Sequence, residues 1–131
     1  MRPVAVGTAH SLTFHTTAAH SAASMGNSGV EVVATPALIL FIEEAADQGL
    51  RDFYEEGEAS VGTALDVRHL AAAPIGTVVT ATARVTEVKG RRVTFAVEAR
   101  NGDKLLMSGR HERFVIVLDR FLKQQGLSSG T

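Results

Sequence analysis

Five residues of this 131-residue chain are of types that can do chemistry at informative places: Thr35, Glu43, Gly62, His69 and Arg113. Glu43 follows a strongly apolar run, Ala37-Leu38-Ile39-Leu40-Phe41-Ile42. On a helical wheel with Thr35 at zero, the residues Ile39, Ile42, Ala46, Leu50 and Phe53 fall within about 60° of it, and Glu43 sits at about 80°, on the shoulder of that stripe. A carboxylate there is costly unless something bonds to it, so it is either a working group or a side chain that bends out to water. Glu44, near 180°, serves as its solvated counterpart. His69 lies on the same strand face as Val61, Thr63, Leu65 and Val67. Imidazole exchanges protons near neutrality, which suits general acid–base work, although an inward histidine can also simply be bonded to a carbonyl. Thr35 is fully explained as a helix N-cap with Pro36 in the first turn, and Gly62 as a strand bulge or a close backbone approach. Arg113, Arg91 and Arg92 suit an anion or solvent equally. His10, His15, His20 and His111 have no metal-ligand spacing with nearby carboxylates, so no metal is expected.

The elements that must position these groups follow from pattern. Ala9 to Thr16 alternates weakly, with Leu12 and Phe14 on one face, and reads as a first strand. Ala18 to Val30 is small, polar and punctuated by glycine, an irregular loop long enough to act as a lid. The helix begins at Thr35 and is stopped before Gly57. Strands are expected over Ser60–Leu70, Thr77–Val88, a third with Val93, Phe95, Val97 and Ala99 facing inward, and Leu105–Leu118. Lys89-Gly90-Arg91-Arg92 makes one turn, Asn101-Gly102 has the composition of a two-residue hairpin, and Asp119 to Gln125 is a short terminal helix. The result is an α+β chain, an antiparallel sheet of about five strands, joined largely as a meander, wrapped around one long central helix. That is the hot-dog arrangement. One helix leaves part of such a sheet uncovered, so a homodimer is expected.

Composition narrows the classes. The length suits a single domain over residues 1–131. A formal charge of −1, with both signs mixed along the chain, gives no footprint for nucleic acid or an anionic membrane. The absence of cysteine removes disulfide and thiolate chemistry, and no apolar run is long enough to span a bilayer. The expected setting is soluble and cytoplasmic.

Beyond these readings, several segments together resemble one family. Val33-Ala34-Thr35, Glu43 eight residues on, Ser60-Val61-Gly62-Thr63-Ala64, His69 and Ala71-Ala72-Ala73-Pro74-Ile75-Gly76 resemble the hot-dog thioesterases of the fluoroacetyl-CoA thioesterase type. The likeness continues through Glu87-Val88-Lys89-Gly90-Arg91-Arg92 and Gly109-Arg110-His111-Glu112-Arg113, covering about Glu31 to Leu118. The resemblance implies an acyl-CoA thioesterase for a small or medium acyl group, with Thr35, Glu43 and His69 as the catalytic set. It implies Gly62 and Arg113 at the substrate, and no cofactor beyond the coenzyme A that arrives as part of it. Glu43 would attack directly or act as base on water. Met25 to Val30 holds no aromatic residue where the fluoroacetyl-CoA enzyme carries phenylalanines, so selection for a fluorinated acyl group is not expected. Pro36 removes one helix N-terminal donor from an oxyanion site, leaving Ala37 or Gly62 N–H to serve. Two rivals are a hot-dog dehydratase, for which an Asp-x-x-x-x-His element is missing, and a non-catalytic acyl-CoA or small-ligand binding protein, which needs neither Glu43 nor His69.

Overall fold

The structure, a computed structural model, describes residues 1–127. Its elements are β1 (Ala9–His15), α1 (Thr35–Leu50), β2 (Glu58–His69), β3 (Val78–Lys89), β4 (Arg92–Asn101), β5 (Lys104–Val117) and α2 (Leu118–Gln124). The five strands form one antiparallel sheet in the order β1-β3-β4-β5-β2. Only β3, β4 and β5 make a meander; β2, although it follows the helix directly, lies at the far edge against β5. The sheet curls around α1, and the two share one apolar core.

Alternation in β4 works as expected. Val93, Phe95, Val97 and Ala99 are all buried, paired with inward residues of β3 and β5. The buried face of α1 comprises Ala37, Leu38, Phe41, Ile42, Ala45, Ala46 and Leu50. That arc is rotated by about 70° from the centre of the stripe read off the wheel, with Ile39 only partly covered. The reason is the wrap: a curled sheet covers more than half of the helix circumference, so small residues such as Ala37 and Ala45 are buried beside the large ones. Glu44 is likewise partly covered rather than fully solvated.

Three local details also depart from expectation. The N-cap is Ala34, without a side-chain cap, and Thr35 is already helical, so its hydroxyl does not cap. The β4–β5 connection is Gly102-Asp103, because Asn101 stays in its strand and its side-chain amide donates to the Val78 carbonyl at 2.7 Å. Most consequential is the change of phase at a bulge in β2, the bulge itself being one of the two readings of Gly62. Gly62 pairs with Arg113 but Ala64 with Glu112, so Thr63 is the extra residue. Alternation therefore changes phase there: Ser60 and Gly62, then Leu65, Val67 and His69, share a face with the inward residues of β5, while Val61 and Thr63 fall on the other.

Residues 18–25 carry two single-turn 3₁₀ segments, Ala18–His20 and Ala23–Met25, in place of regular structure. His20 packs edge-on to Phe41 at 5.2 Å, and Phe14 stacks on the same ring at 4.1 Å. The loop is thus anchored over the first half of the helix.

Candidate active site

Two groups of side chains line the open side of α1. The first stands at its start. Thr35 Oγ1 lies 2.7 Å from His69 Nδ1, both residues being exposed. Freed from capping, the hydroxyl is available to the imidazole, and His69 reaches it from the C-terminal end of β2, where it pairs with Met107.

The second group surrounds Glu43, about 12 Å further along the helix axis at 1.5 Å per residue. Glu43 Oε2 lies 3.7 Å from Arg113 Nη1, and its side chain is 39% exposed. Gly62 passes so close that an added Cβ would stand 3.0 Å from Glu43 Oε2 and 3.2 Å from His111 Cε1. Any side chain there would push on the carboxylate or on the imidazole.

Arg113 is only 8% exposed and is held on every side. Its Nε donates to Ser60 Oγ at 2.8 Å, its Nη2 to the Ser60 carbonyl at 3.0 Å, and its Nη1 faces His111 Nε2 at 3.2 Å. His111, 1% exposed, meets the Ala64 carbonyl through Nδ1 at 2.9 Å. Burial holds the His111 pKa below the usual imidazole range, and the charge of Arg113 pushes the same way. Behind Ser60 stands Tyr54, whose hydroxyl lies 2.5 Å from Ser60 Oγ and 2.8 Å from Asp47 Oδ1. Its pKa is pushed up to about 12, chiefly by burial and then by the Asp47 carboxylate.

A cavity of about 260 Å³ opens beside Glu43, lined by Gly62, Thr63, Ala64, Leu65 and His111. A larger hollow among Thr82, Arg84, Glu98 and Ser108 touches none of these groups, and another, bordered by Arg92, Arg110 and Glu112, shares only Ala64 and Leu65 with the cavity beside Glu43. Among the described residues no group of three or more His, Asp or Glu is disposed to hold a metal ion.

Thr35 and His69 are therefore brought together, and so are Glu43, Gly62 and Arg113, but the two groups stand apart within one chain. Arg91 and Arg92 belong to neither. Arg91 pairs with Glu58 at 2.8 Å and Arg92 with Glu112 at 3.6 Å. Sequence reasoning missed His111, Ser60, Tyr54 and Asp47. His111 and Arg113 alternate on β5, so a period of two would have put them on one face; the link to Asp47 and Tyr54 crosses elements and leaves no such mark.

One long helix held in a five-stranded antiparallel sheet is the fold of the hot-dog thioesterases. The family description "Fluoroacetyl-CoA-specific thioesterase" matches residues 14–119, and the chain belongs to that family. It is 43% identical over 91 residues to the fluoroacetyl-CoA thioesterase of Streptantibioticus cattleyicolor, a match that spans 70% of this chain and 66% of that relative. A solved structure of the fluoroacetyl-CoA thioesterase FlK is similar at a TM-score of 0.88 and 32% identity, covering 95% of this chain and 96% of that one. A thioesterase superfamily member from Thermus thermophilus gives 0.84 and 30%, covering 96% and 98%.

Proposed function

We propose that this protein hydrolyses the thioester of a small or medium acyl-CoA, with Thr35, His69 and Glu43 carrying the chemistry. The observation that carries the reading is the 2.7 Å contact between Thr35 Oγ1 and His69 Nδ1, the geometry of a hydroxyl nucleophile beside its base. In the first step His69 takes the hydroxyl proton as Oγ1 attacks the carbonyl carbon. The C–S bond breaks, and the coenzyme A sulfur leaves with that proton, so that an acyl ester on Thr35 remains. In the second step water gives a proton to Glu43 and attacks the ester carbon; the C–Oγ1 bond breaks, and the proton passes from Glu43 to the departing Oγ1, so that the acid is released and the Thr35 hydroxyl is restored. Ala37 N–H is a first-turn donor with no intrahelical acceptor and suits the carbonyl oxygen as negative charge develops. Gly62 and Arg113 border the acyl end of the substrate. The reaction needs no cofactor besides the coenzyme A of the substrate itself.

The separation of the two groups supports a homodimer with shared sites. One edge of β2 is unpaired by any described strand, and Leu65, 40% exposed, lies on it. Antiparallel pairing of β2 with its copy along that edge would bring the Gly62 stretch of one copy toward the His69 end of the other. Each site then takes its Thr35–His69 pair from one copy and Glu43 from the other. We take residues 1–131 as one functional unit at work in the cytoplasm; among the described residues no helix is long and apolar enough to cross a membrane.

A panel of acyl-CoAs assayed by release of free thiol tests the reading. Turnover of short and medium acyl chains is expected, with little advantage of fluoroacetyl-CoA over acetyl-CoA. Binding without thiol release would return the chain to a ligand-binding role. Light scattering should give twice the chain mass, and a monomer with full activity would sink the shared site.

A further inference from the structure

His111 sits between two partners that leave its ring no choice of state. The Ala64 carbonyl, 2.9 Å from Nδ1, can only accept a hydrogen bond, so Nδ1 carries the proton. Arg113 Nη1, 3.2 Å from Nε2, can only donate, so Nε2 presents a lone pair. A protonated ring would set N–H against N–H there. The ring is also wedged in place, with Phe95 stacked at 6.4 Å and Gly62 close to Cε1.

The guanidinium is thereby accounted for almost bond by bond. Nε and one N–H of Nη2 are committed to Ser60, and one N–H of Nη1 to His111. The other N–H of Nη1 belongs to the nitrogen that faces Glu43, at 3.7 Å. Without an acceptor at Nε2, the Nη1 donors would be left short of partners and the guanidinium could turn toward the carboxylate. We infer that His111 is a positioning residue for the reaction: as the neutral Nδ1–H tautomer it accepts from Arg113 and sets the distance at which Arg113 holds Glu43. The anchor for this device is the β2 bulge, since Ala64 is the residue at which pairing resumes after Thr63.

The inference rests on the reading of Glu43 as catalytic, and its test separates the two. Long-range ¹H–¹⁵N spectra of the unmodified protein should show His111 as an Nδ1–H ring that stays neutral through the neutral range; an Nε2–H ring or a protonated one overturns the inference whatever Glu43 does. Two variants then divide the two bonds of the ring. His111→Gln extends an amide oxygen toward the place of Nε2 and keeps an acceptor for Arg113, whereas His111→Asn keeps only a donor for Ala64. The Gln variant should retain kcat within about threefold and the Asn variant should lose about tenfold in kcat with KM little changed, the scale of one bond to a charged group. The reverse order, or equal losses that follow the melting temperature, would mean that the ring only supports the bulge. If Glu43→Gln were fully active while the spectra showed the expected tautomer, the reading of Glu43 would fail and with it the kinetic role of His111, leaving the tautomer alone.

Discussion

The two halves of the proposed site differ in how they are held. Thr35 and His69 form a single contact between exposed residues, one at a helix start and one at a strand end. Around Arg113 the opposite holds: Ser60, Tyr54, Asp47 and His111 bond to it or to one another, mostly away from water. Exposure lets the first pair meet a substrate and water. Enclosure makes the second stiff, because every buried donor there would cost free energy if it turned away. The difference teaches where loss of function and loss of stability should part company.

His69→Ala should show the parting most clearly. Removing the base of the exposed pair should lower kcat by about 10² to 10⁴ while leaving melting unchanged, since little buried contact is lost. A melting temperature that fell in step with activity would erase the contrast. Glu43→Gln, nearly isosteric, should cost about 10² in kcat, with Glu44→Gln nearly silent as the control on the same helix. Equal small losses in both would leave Glu43 without a catalytic role.

Tyr54→Phe probes the enclosed side. It removes the hydroxyl between Asp47 and Ser60 and should destabilise by about 1–2 kcal/mol, with less than about threefold change in kcat. A large kinetic effect at unchanged stability would make that network part of the chemistry instead of its frame.

The smallest effect on turnover should come from an enclosed carboxylate that belongs to neither half of the site. Glu58 has a pKa pulled down to about 2 by the Glu55 backbone N–H, then by the Met1 ammonium, with Arg91 adding to them. Its folded pKa lies below its unfolded one, so its stabilisation is complete above about pH 4.5 and disappears as pH falls toward about 2. Glu58→Gln should therefore flatten the fall of melting temperature across that acidic window and leave turnover at neutral pH unaffected. An unchanged acid slope would mean that other carboxylates set it.

Much of this molecule was legible in the chain itself. Strand β4 alternates cleanly because both flanking strands bury the same face, and α1 announces itself because a helix enclosed by a sheet must be apolar round most of its circumference. Glu43 could be singled out by its place on the shoulder of an apolar helix, whereas Thr35 and His69 were marked only by the resemblance to a known family. What residue order left open was partnership. Whether the Thr35 hydroxyl caps its helix or meets His69 turns on a one-residue shift of the helix start, which differs by too little free energy locally to be read from propensity. Gly62 marked a bulge or a close approach, but not that Thr63 is the extra residue, which reverses the face of β2 that each later residue takes. His111 shows the limit most plainly. Alternation along β5 can mark it and Arg113 as inward, but that Arg113 donates to one ring nitrogen while the Ala64 carbonyl of β2 accepts from the other is decided only where the folded chain brings those atoms to the ring.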